Sequence, residues 1–232
     1  MSREPRLGVV IPAWNAERWL AEALDSVLAQ RPAPADVVVI DDGSGDATAR
    51  IARGYPAPVR VVSQDHAGIG AARNRGVDAV AGDWIAFLDA DDLMTGTSLA
   101  SRASVLAERA EVEIVFGTVR RFSRLAYGEP VALDELQPCH LPGSMLVRRR
   151  ALDAVGPFPT DTHVAEGLDW LLRARELELG ELTVSEQVVW RRVHGENNSL
   201  RERQQIGEFA HALKASLDRR RAAARPTGGS QG

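Results

Sequence analysis

Short apolar runs separated by stretches of helical spacing constrain this chain more than any other feature. Residues 7–11 form a continuous apolar run, as a parallel strand buried on both faces requires. Further strand-like runs lie at 37–40, 59–63, 84–88 and 113–117. Between them Trp19, Leu20, Ala23, Leu24, Val27 and Leu28 recur at helical spacing up to Pro32, with Asn15 placed to cap that helix. Residues 44–53, 67–80 and 98–108 read as further helices. Strands alternating with helices of this length predict a doubly wound α/β fold, with a mostly parallel central sheet flanked by helices. Ligands of such sheets sit beyond the carboxyl ends of the strands. The polar clusters of this chain fall at those ends, after Ile11, Ile40 and Leu88.

The second half is less regular. Residues 144–147 and 183–193 read as strands, 149–155 and 165–179 as helices, and 194–199 as a loop. Ile206, Phe209, Leu213 and Leu217 mark a last amphipathic helix. No linker or internal repeat interrupts the chain, so one continuous unit over residues 1–225 is expected, with a disordered tail at 226–232. A net charge of -4 over 232 residues gives no global support for wrapping nucleic acid. The lone Cys139 excludes an intrachain disulfide and a zinc site of several thiolates. No apolar run reaches the roughly 18 residues of a membrane span, and the stretch before Pro12 is too short for the core of a signal peptide. The expectation is a soluble, cytoplasmic protein with no transmembrane segment. Arg219, Arg220 and Arg221 would suit an anionic lipid surface, or equally a solvated helix end that complements the dipole.

Five clusters can carry chemistry. Asp89, Asp91 and Asp92 crowd three carboxylates into four residues after a buried strand. Such crowding suits a hard divalent cation, Mg2+ or Mn2+; the alternative is a helix cap with solvated neighbours. Asp41 and Asp42, followed by Gly43 and Ser44, can accept hydrogen bonds from a nucleobase or ribose, or form a plain turn. Gly68, Gly70 and Arg73 approximate a dinucleotide fingerprint. Arg73 stands where that motif has Gly or Ala, and Gly68 lies five residues past the expected strand end, so an oxidoreductase of that type is disfavoured. Arg73 and Arg75 can face a diphosphate, or lie on a solvated helix face. Glu166 and Asp169, three apart on a helix, share a face. Either can act as a base, or simply complement the helix dipole. His194 ends a strand and can ligate a metal, meet phosphate, or lie at the surface.

Taken in order, the segments VVIPAWNAERWLAEALDSVLAQ, VVVIDDGSGDAT, GIGAARNRGVDAVAGDWIAFLDADD, GSMLVRRRALDAVGPF, AEGLDWLLR and WRRVHGENNS resemble the nucleotide-sugar glycosyltransferases of family 2. They cover most of residues 7 to 199. The resemblance implies a GT-A fold, with a nucleotide-binding half at about 7–117 and a C-terminal acceptor-side extension at about 118–225. It implies inverting transfer from a nucleoside-diphosphate sugar, most commonly a UDP-sugar, with Mn2+ or Mg2+. The acceptor is left open among saccharides, lipid-linked molecules, small molecules and peptides. Carried onto this sequence, Pro12, Ala13 and Glu17 lie by the base and ribose. Asp41 and Asp42 follow, with Asp42 favoured for the base, and Arg73 lies close to the nucleotide. The DxD motif maps to Asp89 and Asp91, with Ala90 between them. Asp91 is favoured for the metal, and Asp89 for the ribose, the sugar or the metal. Arg192 and His194 close over the diphosphate or metal.

One departure bears on mechanism. Family members commonly carry Glu-Asp at the start of the acceptor-side helix, the aspartate serving as general base; this chain has Glu166-Gly167. The base is then Glu166, Asp169 or a group supplied elsewhere, or an acceptor already ionised, such as a thiolate, needs none. Two other readings stay in view: a nucleotidyltransferase of similar architecture, and a catalytically degenerate protein that binds nucleotide sugars.

Overall fold

The computed structural model describes residues 5–126, 128–162, 165–194 and 202–223. The expected alternation is present. Strand β1 (Leu7–Ala13) leads to α1 (Leu20–Leu28), β2 (Asp36–Asp42), α2 (Thr48–Arg53), β3 (Val59–Gln64), α3 (Ile69–Ala79) and β4 (Trp84–Phe87). Then come β5 (Leu93–Met94), α4 (Ser98–Glu108), β6 (Val112–Ala126), β7 (Glu129–Ala132), β8 (Gln137–Cys139) and a 3-10 turn at Pro142–Ser144. The chain continues through β9 (Leu146–Arg148), α5 (Arg149–Val155), α6 (Glu166–Glu176), β10 (Gly180–Arg192) and α7 (Glu202–Ala223).

Strands β3, β2, β1 and β4 lie side by side and parallel. From β4 the sheet continues through β9, β6, β10 and β5, where antiparallel pairs mix with the parallel β6–β10 pair. Every residue of β1 and β2 is buried, which explains the apolar runs 7–11 and 37–40 within them. Successive side chains feed two cores. Val9 and Ile11 join Leu20 and Leu24 of α1 and Leu99 of α4 on one face. Val10, Val38 and Ile40 join Ala72 of α3, Leu152 of α5 and Trp170 of α6 on the other. Because β1 is flanked by β2 on one side and β4 on the other, the chain reverses its direction of winding there, and a crevice opens beyond the strand ends.

Several expected boundaries shift. The second helix begins at Thr48 rather than 44, because Asp46 Oδ1 takes the Thr48 amide at 2.9 Å while Ser44 Oγ accepts from Asn15 N at 3.0 Å. Asn15 is accordingly no helix cap: α1 starts at Leu20, and the Asn15 carboxamide accepts from Gly45 N at 2.9 Å. Helix α6 stops at Glu176, three residues early, and Glu178 just beyond takes a left-handed φ of 55°. Strand β6 runs 15 residues instead of the expected five, held by hairpin partners β7 and β8 and by Arg121 paired to Asp134 at 2.6 Å. The loop expected at 194–199 lies, past His194, outside the described residues, as does the tail at 226–232. Among the described residues no helix is long and apolar enough to cross a membrane.

Gly76 lets α3 lie directly on β1: a Cβ there would stand 2.2 Å from Val10 Cγ1. Gly76→Ala gains about 1 kcal/mol of helix propensity. Val10 is fully buried and cannot swing aside, and overpacking a core costs about 1–3 kcal/mol. The expected outcome is a melting temperature lowered by several degrees, partly restored by adding Val10→Ala. An unchanged or raised melting temperature in the single variant contradicts this packing.

Candidate functional site

Four loops meet at the carboxyl rim of the parallel strands. The loop after β1 is sewn to the loop after β2 by the Asn15–Ser44 and Asn15–Gly45 bonds, and by Ala47 N donating to Glu17 Oε2 at 2.9 Å. Asp41 stands beside Ala13 in register and accepts from Ser44 N at 3.2 Å. Pro12 and Ala13 are buried in β1 and bring no polar side chain to the rim.

Asp42 is engaged further than expected. Its Oδ1 accepts from Gln64 Nε2 at 2.7 Å and Ala67 N at 2.9 Å. Its Oδ2 accepts from Gly68 N at 2.9 Å and lies 2.9 Å from His66 Nδ1. A carboxylate offers about four acceptor positions, and these contacts use them. Asp42 therefore secures the loop that leads into α3, and Asp41 is the rim carboxylate with acceptor capacity to spare. That loop brings His66 against Trp14, stacked at 4.6 Å between ring centroids. Trp14 is 52% exposed at the end of a strand otherwise fully buried. Neither ring was a candidate from the sequence. A tryptophan inside the polar PAWNAE loop was the available signal, since a large aromatic left in water is unusual without a partner.

Arg73 is not on a solvated face. It is 3% exposed, donates to Asp89 Oδ1 at 2.9 Å, and pairs with the buried Glu166. Burial works against its charge, yet Glu166 and Asp89 outweigh that and hold its pKa above the ordinary arginine value. Glu166 Oε2 is buried and without a hydrogen-bond partner among the described residues. At Gly167, beside it, a Cβ would lie 2.4 Å from Pro142 Cδ and 2.8 Å from Cγ. Pro142 thus fills the space that a side chain at this position would need. Asp169, the other expected base, is tied to Arg173 at 2.9 Å and to Arg219 at 3.2 Å. It fastens α6 to α7, with one oxygen on each arginine.

The acidic loop after β4 lies next to Arg73. Asp91 Oδ2 is 3.0 Å from His194 Nε2, and His194 stacks on Trp19 at 5.4 Å, so His194 is no surface histidine. Burial first, then Asp89, pushes the Asp91 carboxyl above its usual range, with His194 pulling the other way. Asp92 is buried; burial, then Asp91 and Asp89, raises it well above that range, although its Oδ1 accepts from Arg192 N at 2.7 Å. Arg192 has another place than expected. It is 2% exposed, donates Nε–H to the Asp91 carbonyl at 2.8 Å, pairs with Glu22, and lies 4.4 Å from the centres of the Trp19 and Phe122 rings. It supports the acidic loop from beneath and does not reach into the crevice.

Among the described residues no three His, Cys, Asp or Glu side chains stand together as a ready cation cage. The oxygens of Asp89 and Asp91 with one imidazole still fit a hard divalent ion that keeps water or phosphate in its other positions. Ala90, buried between the two aspartates, contributes backbone only.

The model of the family described as Glycosyl transferase family 2 matches residues 8–156. The succinoglycan biosynthesis protein ExoO of Rhizobium meliloti (strain 1021) is 34% identical over 148 residues, 63% of this chain and 37% of that protein. A PGL/p-HBAD biosynthesis glycosyltransferase of Mycobacterium bovis (strain BCG / Pasteur 1173P2) is 30% identical over 179 residues, 73% of this chain and 69% of that protein. The match to EpsJ of Bacillus subtilis (strain 168), an uncharacterised glycosyltransferase, spans 33% of its length, so the chain covers only about a third of some relatives. In fold it is similar to S. aureus TarS 1-349 in complex with UDP-GlcNAc, with TM-score 0.70 and 21% identity over 84% of this chain and 61% of that one. It is also similar to the mannosyltransferase PcManGT of Pyrobaculum calidifontis in complex with GDP-Man and Mn2+, with TM-score 0.67 and 21% identity over 92% and 65%. The sheet order, the acidic rim and these matches agree: the fold is GT-A, and the chain belongs to glycosyl transferase family 2.

Proposed function

We propose that this chain transfers a sugar, with inversion, from a nucleoside-diphosphate sugar to an acceptor nucleophile. The observation that carries the reading is the gathering of Asp41, Trp14, Arg73, Asp89 and Asp91 on one rim, beside the crevice between β1 and β4. The relatives named for UDP-GlcNAc and GDP-Man supply the donor class, and a uridine base is the first candidate. Asp41 accepts from the base or ribose. The Asp42–His66–Trp14 unit shapes the wall beside it.

The reaction is a single displacement at the anomeric carbon. The acceptor's oxygen or sulfur forms the new bond as the bond to the diphosphate oxygen breaks. The electron pair leaves with the diphosphate, and the configuration inverts. Glu166 takes the acceptor proton on Oε2, the oxygen that Arg73 leaves unengaged. Asp91, Asp89 and His194 would hold a divalent ion, which when bound neutralises charge on the leaving diphosphate as a Lewis acid. Arg73 holds Glu166 and Asp89 at a fixed separation, so that donor and base are oriented together. A second reading, a degenerate donor-binding protein, is favoured by one observation: Pro142 closes the position of the usual base at Gly167.

Thermal unfolding with UDP-GlcNAc or GDP-Man, with and without MnCl2, tests the donor site. At about a hundredfold excess over Kd a bound donor should raise the melting temperature by roughly 5–10 °C. The rise should need the metal and vanish in Asp91→Asn. A rise of equal size in chelator refutes the metal role. Hydrolysis of whichever donor binds gives the second readout. Glu166→Gln should lower turnover by about 10²–10⁴-fold while keeping the donor-induced shift. Undiminished turnover moves the base elsewhere. A wild-type chain that binds donor but turns nothing over with saccharide, lipid-linked or peptide acceptors supports the degenerate reading.

A further inference from the structure

Helix α7 carries two faces, and only one is covered. Ala212 and Ser216 are buried against α6, Ser216 Oγ donates to Glu176, and Arg219 pairs with Glu176 at 2.8 Å. Of the apolar residues expected to anchor the helix, Phe209 is partly buried and the other three point elsewhere. Ile206 is 69% exposed, Leu213 50% and Leu217 53%. With exposed Ala210 they are spaced i, i+4, i+7 and i+11, which at about 3.6 residues per turn puts all four in one stripe roughly 60° wide. By the same count Lys214 and Arg221 run along one border of the stripe and Arg220 along the other, and all three are exposed. Asp218, near Arg221 at 3.8 Å, is the acidic neighbour on that side.

We propose that this stripe is a docking surface for an anionic lipid bilayer, with α7 lying in the interface plane. Apolar side chains bordered on both sides by cations are what such a plane demands: the aliphatic groups enter the acyl boundary while the flanking charges stay at headgroup level. The area argues against a second copy of the chain as occupant. Three half-exposed aliphatic side chains present on the order of 200 Å², whereas a stable dimer needs about 800 Å² from each partner. The chain as a whole is net negative, so attraction to anionic lipid has to come from a local group of cations such as this one. Arg219 also bonds Asp169, one turn from Glu166. A docked α7 therefore holds the Glu166 side of the crevice next to the membrane surface. The docking does not depend on the proposed transfer reaction and is tested without it.

The test is co-flotation of the full chain with phosphatidylcholine vesicles, with and without phosphatidylglycerol. Binding is expected to the anionic vesicles, and to fall about tenfold on neutral vesicles or at high salt. The double variant Leu213→Glu with Leu217→Glu should lose binding by about tenfold or more with an unchanged melting temperature, because both side chains are exposed. Arg220→Glu with Arg221→Glu should lose it as well. Absence of wild-type binding overturns the proposal, as does full binding by the leucine variant. Sedimentation equilibrium closes the remaining route: a wild-type dimer that the leucine variant dissolves assigns the stripe to a second copy instead.

Discussion

Arg73 is shut away from water and lies against two carboxylates. Those carboxylates belong to different parts of the chain: Asp89 follows β4, and Glu166 opens α6. Arg73 itself comes from α3, so three elements are fixed to one another at a single point. Removing one partner of a buried pair typically costs about 3–5 kcal/mol, which makes their separation rigid. Arg192 repeats the device on the other side of the acidic loop, joining Asp91 and Asp92 to Glu22 of α1. The loop is thus held from both faces of the sheet.

That constraint explains an oddity of charge. Asp89, Asp91 and Asp92 crowd together where burial raises the carboxyls of Asp91 and Asp92. Internal partners relieve part of the repulsion: Arg73 for Asp89, His194 for Asp91, a backbone amide for Asp92. A divalent cation arriving with a diphosphate would relieve more, and it would leave when the product leaves.

The parallel half of the fold was legible because its signal is simple. Strands such as β1 and β2 are buried on both faces and must read as apolar runs, and the rim residues follow from where those runs stop. Legibility failed where a residue's partner is distant in sequence. Arg73 read as a nucleotide contact or a solvated helix residue, and its pairing with Glu166, 93 positions away, was out of reach. Arg192 read as a ligand contact because Glu22 lies 170 away. The four protein contacts of Asp42 were likewise out of reach, since they depend on how the next loop folds back. Gly167 could be seen as a departure, but the Pro142 ring packed against it needed coordinates. The last helix misled in the opposite sense: its apolar spacing is real, yet Ala212 and Ser216 pack inward while Ile206, Leu213 and Leu217 face out.

The central claim is that the carboxylates of this rim hold a donor's diphosphate by way of a metal ion. Crystals of the chain grown with UDP and MnCl2, measured at the manganese absorption edge, test it most directly. The account predicts an anomalous peak within bonding distance of both an Asp91 carboxylate oxygen and the diphosphate. UDP bound in the crevice with no such peak, or with manganese bound away from Asp91, would contradict it.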